Sequence, residues 1–218
     1  MSIPHPYGRD IFHGRLLDHA TIAALRHCEH ELGYELTITQ GIGGATASAG
    51  SHTEGRAVDL AEWDHARKVR VLRDFGFAAW YRPELPGVWG PHIHAVLIFD
   101  GRDNRKGIAP VAFDQIGKYD RGEDGLANPP TPDPDPYRPD PKRGFSMREY
   151  ERSFALPEPK PTNVSKARDA IVEALHASWQ AEALLKDAAG RPLAQSQIDD
   201  LQAARKQIKA VLEKLPPR

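Results

Sequence analysis

Apolar residues recur along this chain at two spacings, and the changes from one to the other sketch its elements. Ile22, Leu25 and Leu32 sit at helical spacing within residues 16–32, so a helix is expected there, with Gly33 placed to end it. Residues 35–40, ELTITQ, alternate with period two and are β-branched, as a half-buried strand should be. A Gly/Ala/Ser loop fills 41–51, and 56–60 is a second short strand. Residues 64–75 read as a helix stopped by Gly76, while 77–81 and 92–99 read as further strands. Helices and strands that do not alternate regularly predict an α+β layer rather than a doubly wound sheet.

The pattern breaks near residue 128. Residues 128–144 read NPPTPDPDPYRPDPKRG, and Pro157, Pro159 and Pro161 follow. Proline lacks an amide donor and fixes its own backbone angle, so this stretch predicts an extended, semi-rigid spacer. Its acidic residues do not imitate the spacing and glycine of a calcium loop. Beyond it, 164–215 is rich in Ala, Leu, Lys, Glu and Gln, and Gly-Arg-Pro at 190–192 divides it into two helices. Ser196 and Asp199 resemble a capping box opening the second. There Leu201, Ala204, Ile208, Val211 and Leu215 step by three and four into an apolar seam that needs a partner. That partner is the preceding helix, another subunit or a target, and an αα-hairpin able to self-associate is expected. The chain thus divides into a mixed domain over 1–127, a proline-rich linker over 128–162 and a helical hairpin over 163–218.

Composition narrows the function by exclusion. The 218 residues carry a formal net charge of −1, without the concentrated Lys and Arg excess that phosphate neutralisation needs, so nucleic acid is not an expected partner. The longest apolar run, 95–99, is far short of the ~20 residues of a membrane span. A single cysteine, Cys28, excludes an internal disulfide framework and a cysteine-rich zinc module. The first ten residues lack a basic segment followed by an apolar core, so the expected location is the cytoplasm until some other route releases the protein.

Ten histidines remain, and three of them fall where a metal site can be assembled. His52 ends the loop before the strand that carries Asp59, and Gly55 permits the tight turn between them. Val58 and Leu60 flank Asp59, so its carboxylate should point away from the core face they occupy. In the 92–99 strand, Ile93, Ala95, Leu97 and Phe99 share one face, and His92 and His94 project together from the other. Such a set suits a zinc ion with an open position for water; equally, it suits a pair of cleft histidines satisfied by ordinary hydrogen bonds. His27, Cys28 and His30 do not share a helix face, so no second metal site is expected there. His5, His13, His19, His65 and His176 have no partner identifiable from the sequence. Trp80, Trp89 and Tyr81 could line a cleft, although aromatics on strands more often join the core.

SHTEGRAVDL at 51–60, followed about thirty residues on by HIH at 92–94, resembles the zinc-site pattern His-x-x-Gly-x-Ala-x-Asp … His-x-His. That pattern belongs to the zinc D-alanyl-D-alanine carboxypeptidases, the penicillin-insensitive murein endopeptidases and the amino-terminal signalling domain of Hedgehog proteins. The order of elements over about residues 14–100 is similar too. The resemblance implies a small, antiparallel-rich sheet packed on helices, Zn2+ held by His52, Asp59 and His94, and peptide stems of bacterial peptidoglycan as substrate. The bond implied is one at a D-residue or of L-Ala–D-Glu type.

Departures from the pattern concern the base. Carboxypeptidase members place a Glu three residues before the last ligand, where this chain has Pro91. The Hedgehog-type acid would fall at Val88. The murein endopeptidases use His-x-His without that Glu, which implies His92 as base or oxyanion stabiliser, a role an imidazole titrating near neutrality can perform. Glu84 and Glu54 are reserve candidates on loops. The arginine that carboxypeptidases carry after the first strand has no counterpart in Gln40-Gly-Ile-Gly-Gly. The expected protein is a zinc peptidase of peptidoglycan stems, of the kind a phage or prophage releases as a lysin or carries in its virion. The alternative is a zinc-containing binding or structural module without catalysis.

Overall fold

A computed structural model describes residues 3–43, 50–100, 107–126, 129–139, 144–157, 170–171, 174–175 and 195–214. The chain opens with a hairpin, β1 (Arg9–Phe12) paired antiparallel with β2 (Arg15–Asp18). Its two-residue loop, His13-Gly14, has positive φ at both positions, 46° and 75°. That is the primed turn whose twist matches paired strands, with histidine at a position more often held by Asn or Asp. The helix expected from residue 16 therefore starts later. α1 (His19–Leu32) is capped by Asp18, which accepts from the Thr21 amide at 2.7 Å, and Gly33 ends it in the left-handed conformation.

β3 (Ile38–Gln40), β4 (Ala57–Ala61), β5 (Phe77–Arg82) and β6 (His92–Leu97) form one antiparallel sheet in the order β3-β4-β6-β5. α2 (His65–Asp74) lies between β4 and β5 in the chain. Strand alternation gives the sheet two unlike faces. Val58, Leu60, Ile93, Ala95, Leu97, Phe77 and Ala79 pack with Ala24, Leu25, Cys28 and Leu72 of α1 and α2 into the main core. The opposite face carries Ala57, Asp59, Ala61, His92, His94, Val96, Ala78, Trp80 and Arg82. Part of it is covered by α3 (Pro110–Asp120), whose Ala112 joins Ala57 and Val96 and whose Tyr119 meets Ala78 and Trp80. α3 starts with Pro110 at a helix start, where proline costs no hydrogen bond.

Residues 129–139, part of the stretch expected as an extended, semi-rigid spacer, are tied to the mixed unit. The Arg73 side chain is wholly buried and donates to the Asp133 carboxylate at 2.6 Å and to the carbonyls of Asp135, Tyr137 and Ala79. Arg138 shares Asp133, and the Tyr137 hydroxyl donates to Asp74. Alternating Asp and Pro cannot bond among themselves as a helix or strand, so their free carbonyls and carboxylates serve a buried cation. Farther on, β7 (Phe99–Asp100) and β8 (Phe145–Ser146) pair in parallel, and α4 (Met147–Ser153) opens on a capping box of Ser146 and Glu149. Phe145 and Tyr150 are fully buried in the main core. The mixed unit accordingly comprises Met1–Arg82 and His92–Pro159.

The second unit, Pro83–Pro91 with Lys160–Arg218, contains a turn closed by Leu85 and Trp89 and the helix α5 (Gln195–Lys214). α5 already includes Gln195, so Ser196 lies inside the helix rather than capping it. Ala204 and Ile208 of the expected seam are exposed. Leu215, His176 and the 190–192 break lie outside the described residues, as does most of the first helix of the expected hairpin. No described helix is long and apolar enough to cross a membrane.

Arg73→Met should lower stability by about 3–5 kcal/mol in denaturant titration, because it strips buried carbonyls of their donor and leaves the Asp133 carboxylate with Arg138 alone. Limited proteolysis should then cut within 129–139, and a variant resisting both changes would refute the tether.

Candidate metal centre

The register of β4 against β6 builds the site. Asp59 pairs with His94, Ala61 with His92, and on the far side His94 pairs with Trp80 and His92 with Arg82. Directly paired residues share a face, so Asp59, His94 and Trp80 form one row across the sheet and Ala61, His92 and Arg82 the next. His52 arrives from outside the sheet, on a single 3-10 turn, Ser51–Thr53, preceded by Gly50 in the left-handed region at φ 83°. Gly55 is required for close approach: a Cβ there would lie 2.5 Å from the Asp18 amide nitrogen. The chain can thereby pass the start of α1 and deliver His52 to the row.

His52, Asp59 and His94 converge, with one ligand atom from each lying within 4.8 Å of the others, and this buried triad could hold a metal ion. Their exposures are 2%, 8% and 6%. One carboxylate oxygen, Asp59 Oδ1, faces both rings, 2.8 Å from His94 Nδ1 and 3.3 Å from His52 Nε2. Burial by itself would raise the Asp59 pKa. The charges of His92 and His52 and hydrogen bonds from His52 and His94 outweigh it and hold the carboxyl well below its usual range. Burial lowers the His94 pKa, against the pull of Asp59, which favours the neutral ring.

The hydrogen bonds of His94 supply the test of whether a cation fits. Its Nε2 lies 3.0 Å from Gln115 Oε1, while its Nδ1 faces Asp59 Oδ1. Both neighbours are acceptors, yet a neutral imidazole has one N–H. With that proton on Nδ1 the ring donates to Asp59; with it on Nε2 the ring donates to Gln115, and the Nδ1 lone pair and the carboxylate oxygen would then both face a cation bound between them. Donors of the type N, N and O, with an outer amide fixing one ring's tautomer, suit zinc-like divalent ions. His52 Nδ1 is buried and has no hydrogen-bond partner among the described residues.

The remaining candidates have surroundings of their own. His92 is half-buried, on the same face as His94 and electrostatically coupled to Asp59. Glu54 does not join the triad; its carboxylate accepts from Arg9. Glu84 is exposed in the Pro83–Pro91 turn of the second unit. Trp80 is core rather than cleft lining: it is buried, stacks on His94 with centroids 6.2 Å apart, and donates from Nε1 to the Glu123 carbonyl. Gly125 packs flat on its ring, where a Cβ would sit 2.8 Å away. Tyr81 leaves the opposite face and stacks on His65, and Trp89 donates to the Pro83 carbonyl within the second unit.

Among the other histidines, His27 bonds the Glu149 carbonyl, His13 pairs with Glu29, and His19 bonds the His5 carbonyl. Cys28 is fully buried, its thiol pushed up by desolvation, and contributes to no metal-binding group among the described residues. Gln115 and Arg82 are the residues that sequence reasoning missed. Pro110 at a helix start, then Ala112, Ile116 and Tyr119 at helical spacing, was the available signal for α3 and hence for Gln115. Comparison with family models, curated proteins and solved structures returned no match.

Removing an outer partner of a metal-binding histidine typically costs 10–100-fold in affinity. Gln115→Leu should therefore weaken binding of a divalent transition metal by about that factor in a competition titration. Unchanged affinity would show that Gln115 does not orient His94.

Proposed function

We propose that the protein is a zinc-dependent peptidase acting on the peptide stems of bacterial peptidoglycan, a lysin of phage or prophage type. The observation that carries the reading is the convergence of His52, Asp59 and His94 on one buried point, in the chain order and spacing of the zinc-peptidase pattern that the sequence resembles. Three protein ligands are the number found in catalytic rather than structural zinc sites. The chemistry such a site gains from bound zinc is Lewis acidity, which acidifies water toward a pKa of ~7 and polarises a carbonyl.

The chain's own residues supply the rest. Asp59 and the two imidazoles would hold the ion, and Gln115, accepting from Nε2, would keep His94 in the tautomer that presents Nδ1. His92 is half-buried on the same face, one repeat along β6. There its ring can take a proton from the attacking water and return it to the leaving amine. With Pro91 and Val88 at the positions of the related acids, and Glu54 engaged by Arg9, His92 is the best-placed base.

Digestion of purified cell walls by the zinc-loaded protein should release stem-peptide fragments whose masses identify the bond cut. Stoichiometric zinc without any released peptide would leave a metal-stabilised binding module instead. Asp59→Ala or His94→Ala should abolish zinc binding. His92→Ala should keep the zinc and lose roughly 10²–10⁴-fold in turnover, the usual contribution of a general base; turnover near wild type would move the role to Glu84 or Glu54.

A further inference from the structure

Arg82 ends β5, one of the two edge strands of the sheet, paired with His92 and two residues beyond Trp80, so its side chain leaves the face that carries the triad. It is 6% exposed. Its guanidinium carbon lies 5.3 Å from the centre of the Trp80 ring, and that ring stacks on His94. Among the described residues the buried Nη2 has no hydrogen-bond partner, and no carboxylate forms an ion pair with the side chain.

The acids whose charge reaches Arg82 are Asp124, Asp59 and Asp133, and each is committed elsewhere. Asp124 accepts from the Leu126 amide and the Thr131 hydroxyl, Asp133 from Arg73 and Arg138, and Asp59 faces two imidazoles. Desolvation lowers the Arg82 pKa to about 10, so the group is still a cation at neutral pH. A buried cation without a paired anion is costly to hold. A planar guanidinium with a free edge matches a carboxylate in two parallel hydrogen bonds, a geometry a lysine cannot copy.

We propose that Arg82 is the carboxylate-recognition residue of this site, binding a carboxylate of the substrate beside the His52–Asp59–His94 centre. The identity of that substrate as a wall peptide rests on the peptidase reading above; the anion preference does not. Two carboxylates of such a peptide fit, the chain-terminal one and that of an internal D-Glu.

Calorimetric titration of the zinc-loaded full chain with three probes tests this. They are acetyl-D-Ala-D-Ala, its terminal amide, and an L-Ala–D-Glu peptide with the glutamate carboxylate free and the terminus amidated. A charge-assisted pair should make at least one acid probe bind about 10–100-fold tighter than the neutral amide, and which acid does so identifies the carboxylate. Arg82→Gln should erase that preference at unchanged zinc content. Arg82→Lys, which keeps the charge and loses the fork, should retain only part of it and stands in if the Gln variant does not fold. Equal binding of all three probes by the wild type, or an acid preference that survives the substitutions, overturns the proposal. Peptide release from walls is read separately. An Arg82-dependent preference without release sinks the peptidase reading alone, and release with an Arg82-independent preference sinks this one alone.

Discussion

Everything at the site depends on the pairing of Asp59 with His94 across β4 and β6. A strand's side chains alternate with a period of two, so a slip of one residue would exchange the faces of a whole strand. Val58 and Leu60 on β4, and Ile93, Ala95 and Leu97 on β6, are all fully buried in the main core. Their burial pins the register far more strongly than the polar residues do. The face that carries the triad is thus held by hydrophobic packing on the reverse side of the same two strands. The carboxylate and the imidazole need no mutual affinity to meet; the core has already placed them.

Burial then shapes the chemistry. Asp59, His52 and His94 have little water to turn to, so their charges and protons are settled among themselves and their neighbours. One oxygen is shared by two rings, and the second nitrogen of His94 is taken by Gln115. α3 brings that glutamine because Ala112, Ile116 and Tyr119 seal the apolar part of the same sheet face. Packing and site therefore share one helix.

Much of this was legible in the chain. The alternation His92–Ile93–His94–Ala95 placed both imidazoles on the face away from the core, and Val58–Asp59–Leu60 did the same for the carboxylate. Strands β3 to β6 and helix α2 lie within a few residues of their expected places, and the structure is of α+β type, with small antiparallel sheets. Other parts were hidden for identifiable reasons. The first hairpin turns on His13-Gly14, a weaker signal than Asn-Gly, and its second strand was absorbed into the helix that follows. The Asp-Pro stretch shows no periodicity because its partners are not its own residues but Arg73 and Asp74, some sixty positions earlier.

By itself the sequence determined which residues can bind a metal, the faces they leave, and the family pattern they resemble, because period-two alternation and ligand spacing are local properties. Only the tertiary structure decided which groups share a buried point, that Glu54 is diverted to Arg9, and that Gln115 and Arg82 belong to the neighbourhood. Those facts depend on contacts between segments far apart in the chain and on how much water each group keeps, and neither is encoded in any short stretch of it.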